Sequence, residues 1–352
     1  MTNSSVDATG DEGPGSLATA AVAAQLCLSV AGTAAAAPLY ALVRRDGRLH
    51  ENAKWLMYSL VVALQARCVT DLVQRLLWLL GVHLIDDDHT GVVEFVQQVS
   101  GDHLLLLTTA ELVLERVVAT VKFRGYEAKK HRVVVACFIF VAWSSTVPFS
   151  TVVWRYVDDS LHEHELEAEE EEEGNAHEHD GDGEALGIDA VFLVGYSAVQ
   201  MAAHALLLFL VGALNAVNRS RDRLAVDNAG RFALSERYQI RENVRSTRHL
   251  LPIFVVNFLA CFSKNAASVA ALVSAVSTSD PAGFALSEAI GSVYPLYALS
   301  LLAIMVRRRQ SAATVGVHES PAFVKVVRQH TAYDHAEFLN SFWEQARQKN
   351  RS

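Results

Sequence analysis

The sequence predicts an all-α protein, a seven-transmembrane helix bundle with its N-terminus outside and its C-terminus cytosolic. Three observations predict it. Long apolar runs alternate with short charged connectors, the basic residues crowd into every second connector, and the few ionisable residues inside the runs carry both signs. The 352 residues are 51% hydrophobic and 20% charged with a net charge of −9, but these averages conceal a strong segregation. A helix needs about 20 apolar residues to cross a hydrocarbon layer of about 30 Å. Only helices or closed barrels satisfy all their backbone polar groups there, and runs this long exceed the roughly ten-residue strands of a barrel.

Seven runs fit, at approximately 18–43, 55–81, 94–121, 133–156, 189–216, 250–278 and 284–306. The second and third are the least clean, because each holds several ionisable residues. The opening MTNSSVDATGDEGPGS has no basic n-region, so the first run is expected to stay in the protein as a signal-anchor. The connectors after runs one, three and five, together with the tail, hold 25 of the 30 Lys and Arg residues. The N-terminus and the other connectors hold none, and the positive-inside rule then sets the orientation.

The chain divides into an extracellular N-terminus, 1–17, the seven-span domain, 18–306, and a cytosolic tail, 307–352. The outer connector 158–187 carries fourteen acids and no base, and is expected to be disordered. Its histidines His162, His164, His177 and His179 could bind Zn²⁺ or Cu²⁺, but such a tract binds metals weakly and lacks the fixed geometry of a true site, so no metal site is assigned. In the tail, Phe338, Leu339, Phe342 and Trp343 form a stripe at helical spacing, which predicts a short amphipathic helix. All four cysteines fall inside runs and read as small buried hydrophobes. Asn3 begins a glycosylation sequon on the expected outer side.

A charge inside a membrane is costly and calls for a reason. The second run holds Arg67, Asp71 and Arg75 at i, i+4 spacing; the third holds Asp102, Glu111, Glu115 and Arg116; the sixth holds Lys264; the seventh holds Glu288. At 1.5 Å per residue, Asp71 and Lys264 lie about 24 Å and about 20 Å above the inner face, so the two are expected to share a level. Asp71, Asp102 and Lys264 are therefore candidates either for buried ion pairs that fix helix packing or for the wall of a ligand pocket. Glu115–Arg116 sits where the third run meets a basic loop. It reads as a snorkelling anchor or as a latch that holds one helix packing and releases another.

The stretch LERVVATVKFRGYE, 114–127, resembles the exit of the third span in nematode serpentine chemoreceptors of class e, to which classes a, b and ab are related. A second stretch, LSERYQIRENVRSTRHLLPIF at 234–254, resembles the same family ahead of the sixth span, and His335, Phe338, Leu339 and Trp343 add a weaker match. The resemblance implies a G-protein-coupled receptor with a chemosensory role. Its partners would be a heterotrimeric G protein, an unknown small-molecule ligand and the bilayer, with no nucleic acid and no cofactor. It implies a multi-pass protein of the plasma membrane, with the sensory cilium as one candidate location. On this reading Glu115, Arg116, Arg237 and Arg241 form the inner face that the G protein contacts. The long acidic connector departs from the short one usual in the family, and Glu115-Arg116-Val117 stands where rhodopsin-like receptors have Asp-Arg-Tyr.

Other classes predict features that the sequence lacks. A small-solute transporter or channel, the alternative reading, predicts inverted repeats or paired helices broken by Gly and Pro. A membrane enzyme predicts a nucleophile–base set, a zinc motif or a phosphate loop, and no catalytic residue is assigned.

Overall fold

The computed structural model describes residues 16–46, 49–80, 87–122, 132–174, 186–227, 234–273 and 281–318. Among them the chain forms eight α-helices and no strand: α1 (Ser16–Arg45), α2 (Glu51–Leu79), α3 (Asp87–Val121), α4 (Arg132–Gly174), α5 (Leu186–Asp227), α6 (Leu234–Val273), α7 (Pro281–Gly291) and α8 (Val293–His318). Asn3 and the tail stripe at 335–343 lie outside the described residues.

The seventh apolar run is thus two helices that meet at Ser292. Pro295 explains the break. It has no N–H to donate to the carbonyl of Gly291, four residues earlier, and its ring crowds that carbonyl. The chain re-forms the turn around the interruption, with Ser292 N donating to Glu288 O at 3.1 Å and Leu296 N donating to Ser292 O at 3.2 Å. Pro38, Pro148 and Pro252 lie inside α1, α4 and α6, and these helices continue through them.

Six stretches are long and apolar enough to cross a membrane, Thr19–Arg45, Glu51–Leu77, Val133–Tyr156, Phe192–Asp227, Gln239–Ala271 and Ala285–Gln310. The third of the seven expected spans is not among them. At 35 residues α3 has ample length, but it holds too many ionisable groups to qualify by composition. Its position accounts for this: α3 packs against α2, α4, α5 and α6, and its Asp102, Glu115 and Arg116 are buried between them. At the opposite extreme α4 is peripheral, with 11% of its apolar window buried against 56% for α2. Exposed Phe140, Val141, Val147 and Val152 on α4 suit lipid as their surroundings.

The core follows the helical repeat. On α2 the buried residues Ala53, Leu56, Met57, Leu60, Leu64, Cys68 and Asp71 recur every three or four positions, which puts them on one stripe. They pack with α1, α3 and α4, while α5 and α6 form the most extensive helix pair. By its internal contacts the chain separates into two compact units, 1–302 and 303–352; the described part of the second is the end of α8 with Arg307, Arg308 and Arg309.

Two expectations are corrected here. The acidic segment expected to be disordered over 158–187 is helical as far as Gly174, where it prolongs α4. Glu is a good helix former, and a helix already nucleated extends one residue at a time without a new nucleation cost. Nor are all the cysteines buried: Cys68 and Cys261 are, whereas Cys27 and Cys137 are exposed on the outside of the bundle, and all four are free thiols.

Candidate functional site: a buried charge layer and a clasp at the end of the third helix

Two polar clusters occupy the interior of the bundle. In the first, Asp102 on α3 accepts hydrogen bonds from the Lys264 ammonium on α6 and from the Tyr294 hydroxyl on α8. Arg67 Nη2 pairs with Asp71 Oδ1 at 3.0 Å along α2. The Arg67 guanidinium and the Lys264 ammonium both lie against the Tyr294 ring, 5.7 and 5.4 Å from its centre, in reach of a cation–π attraction. One turn further along α2, Arg75 Nη2 pairs with Glu288 Oε1 of α7 at 2.8 Å, and its Nε donates to Gln25 Oε1 of α1 at 3.0 Å.

Asp71 meets Arg67 and not Lys264, which takes Asp102 as its partner. The two residues do share a region of the bundle, but a common depth leaves the direction around each helix open. Asp102 on the central α3 is the acid aimed at α6. The layer joins α1, α2, α3, α6, α7 and α8 and sets three bases against three acids, so it is neutral as a whole. Asp71, Asp102, Lys264 and Glu288 are each less than 5% exposed. Removing one partner from such a pair leaves a buried charge uncompensated. Below this layer, Asn257 Nδ2 on α6 donates to Thr109 Oγ1 of α3 at 3.2 Å and lies 3.4 Å from His204 Nδ1 of α5.

The second cluster lies where α3 ends. Arg116 is the largest fully buried side chain among the described residues. An anchor that snorkels would reach into the headgroups; this one is held inside. Its Nε and Nη2 bind the Glu115 carboxylate, and its Nη1 donates to Ser246 Oγ on α6 at 2.6 Å. Around it the last carbonyls of α3, which have no partner within the helix, are capped from its neighbours. Asn243 Nδ2 of α6 reaches Ala119 O at 2.9 Å, and Arg221 Nη1 of α5 reaches Thr120 O at 2.5 Å. Asn218 Nδ2 of α5 bridges Thr120 Oγ1 at 3.1 Å and Thr247 Oγ1 at 3.3 Å. A final contact, His249 Nε2 to Asp46 Oδ2 at 2.7 Å, ties α6 to the chain just beyond α1.

The structure does not gather the expected quartet of Glu115, Arg116, Arg237 and Arg241. Arg241 is largely exposed, with Nε 3.6 Å from Asp222 Oδ1 of α5, and Arg237 is half-buried. The residues that do meet Arg116 and the end of α3 are Ser246, Asn243, Asn218 and Arg221. Three of these are uncharged, and nothing in the sequence marks a Ser or Asn at a helix end as a bridge. Arg221 was legible only as one base among many.

Helices of this length and apolarity, packed around buried ion pairs, define a multi-pass helical membrane protein. A family model described as serpentine type 7TM GPCR receptor class ab chemoreceptor matches residues 190–347. That match runs from α5 through the α5 and α6 side of the clasp to the tail, just under half of the chain, and it supports a chemosensory receptor of the GPCR type. No curated protein matches the chain.

Proposed function

We propose that the protein is a chemosensory G-protein-coupled receptor, oriented with its N-terminus outside, which couples a small-molecule ligand at the outer half of the bundle to a heterotrimeric G protein at the cytosolic face. The observation that carries this reading is the Arg116 cluster. A fully buried guanidinium bonded both to its own neighbour Glu115 and to Ser246 of α6 joins the two helices whose separation would open a cytosolic groove. A partner helix docks in such a groove by its apolar face, with charges setting its register. Arg116 and Glu115 act as the latch, and once the groove is open the freed Arg116 fork, with Arg237 and Arg241 on the first turns of α6, meets the partner. The Asp102–Lys264–Tyr294 junction, with Arg67–Asp71 beside it, couples to the ligand, because it joins α3, α6 and α8 through charges that a polar ligand would rebalance. Within the serpentine receptors the sequence resemblance points to class e and the family model to class ab; the proposal rests on what these related classes share. Plasma-membrane residence, in a sensory cilium or elsewhere, belongs to the same reading.

The test needs no ligand. Ser246→Ala removes one partner of the latch and is expected to raise ligand-free nucleotide exchange on a panel of heterotrimeric G proteins at unchanged surface level. Arg116→Lys keeps the charge but loses the planar fork, and is expected to reach the surface while losing exchange. If Ser246→Ala exchanges like the parent and Arg116→Lys does too, Arg116 only fixes helix packing and the latch is rejected.

A further inference from the structure

The helix ends that carry the clasp also carry a second set of arginines, on their outer side. On α5, Arg221 turns inward to Thr120 while Arg219 and Arg223 are exposed. On α6, Ser246, Thr247 and His249 are buried while Arg241, Arg245 and Arg248 are exposed. Spacings of i, i+4 on α5 and i, i+4, i+7 on α6 place each set on one stripe. The Arg241–Asp222 contact brings the two stripes side by side. Arg219, Arg223 and Arg245 make no ion pair or hydrogen bond with the described residues, so their charge is uncommitted within the bundle. Apolar side chains interleave with them: Val217, Leu224 and Val226 on α5 are 44%, 52% and 53% exposed.

The height of this surface limits what can cover it. The apolar runs end at 216 and begin again at 250, so the five arginines lie about 3–14 Å beyond the hydrocarbon edge at 1.5 Å per residue. That range begins in the headgroup layer, and a long arginine side chain bridges several ångströms back towards it. Leu224 and Val226 stand about 12–15 Å beyond the same edge, out of reach of acyl chains, and only Val217 lies at the edge itself. A headgroup phosphate matches the height and the charge of the arginines.

We propose that Arg219, Arg223 and Arg245 of this arginine wall on α5 and α6 bind the phosphate-bearing headgroups of anionic lipids. The proposal rests on the cytosolic placement of these helix ends given above, since that leaflet holds the anionic lipids. Epitope accessibility on intact cells reports failure of that placement separately from failure of lipid binding.

The full-length receptor is reconstituted in phosphatidylcholine nanodiscs with and without phosphatidylinositol bisphosphate, and the bound lipid is counted by native mass spectrometry. At about fivefold per arginine, the triple change Arg219→Gln, Arg223→Gln, Arg245→Gln is expected to weaken lipid retention about a hundredfold. The matching Lys triple is expected to stay close to the parent, and added salt to weaken binding in both. Arg219→Gln alone, at about fivefold, keeps the test open if the triple variant does not fold. Retention unchanged in the Gln variants, or lost equally in the Lys triple, overturns the proposal.

Discussion

Lys264 is the single cation of α6 at the level of the charge layer, and its replacement by Met tests the layer's wiring. Lys264 and Asp102 are 2% and 4% exposed, so neither charge has water to fall back on. Deleting one partner of a buried pair costs about 3–5 kcal/mol. The structure makes the two deletions unequal. Without Lys264, Asp102 keeps the Tyr294 hydroxyl as a donor. Without Asp102, Lys264 faces the Arg67 guanidinium across the same Tyr294 ring, two cations with one acid fewer. Lys264→Met is therefore expected near the lower end of that range, about 3 kcal/mol, and Asp102→Asn near the upper end, about 5 kcal/mol. The double variant should recover about 2–3 kcal/mol of the sum, the signature of a direct pair. The assay is denaturant or thermal unfolding of the full-length protein in detergent, with the four members of the cycle measured side by side. A parallel cycle with Asp71→Asn should show much weaker coupling to Lys264→Met, because Asp71 is held by Arg67 at 3.0 Å. Strict additivity at Asp102 and Lys264, or stronger coupling at Asp71, would refute the assignment.

Other expectations follow from particular contacts. Gly32→Ala would bring a Cβ to 3.0 Å from both Pro295 Cα and Cys68 Sγ, a backbone that cannot give way, and is expected to cost about 1–3 kcal/mol in thermal unfolding. Gly195→Ala and Gly212→Ala meet nothing within 4 Å and should be neutral or stabilising by up to about 1 kcal/mol in the same assay. Trp143→Phe loses the 3.1 Å bond from Nε1 to Ser59 Oγ beside the apolar groove between α2 and α4, and should cost about 0.5–1.5 kcal/mol. An epitope inserted in 160–180 should be labelled on intact cells and one after Arg309 only after permeabilisation; the reverse pattern would reject the proposed orientation.

Much of the architecture was legible before any coordinates, because it depends on one-dimensional quantities. Seven apolar runs separated by polar connectors follow from length and hydropathy alone, and they reappear as seven helices or helix pairs. The segregation of 25 basic residues into alternate connectors needs only a count. The intramembrane charges could be named individually for the same reason: each is an exception to its surroundings. Even the break before Tyr294 has a local cause in Pro295.

The partners of those charges were not legible. Rise per residue orders groups by depth, but Lys264 had several acids within reach of its level, and only the rotation and tilt of α3 against α6 selected Asp102 over Asp71. Arg116 looks like an interfacial anchor when read along the chain, because it is followed by basic loop residues. It is buried because α5 and α6 extend past the end of α3 and close over it. The clasp around it depends on Ser246, Asn243 and Asn218, residues of ordinary type whose hydrogen bonds cross 98–130 positions of sequence. The sequence by itself determined which residues must be inside the membrane and which charges need a reason to be there. Only the tertiary structure decided which of them meet, because pairing depends on the azimuth of each side chain around its helix, and packing against the neighbours sets that angle.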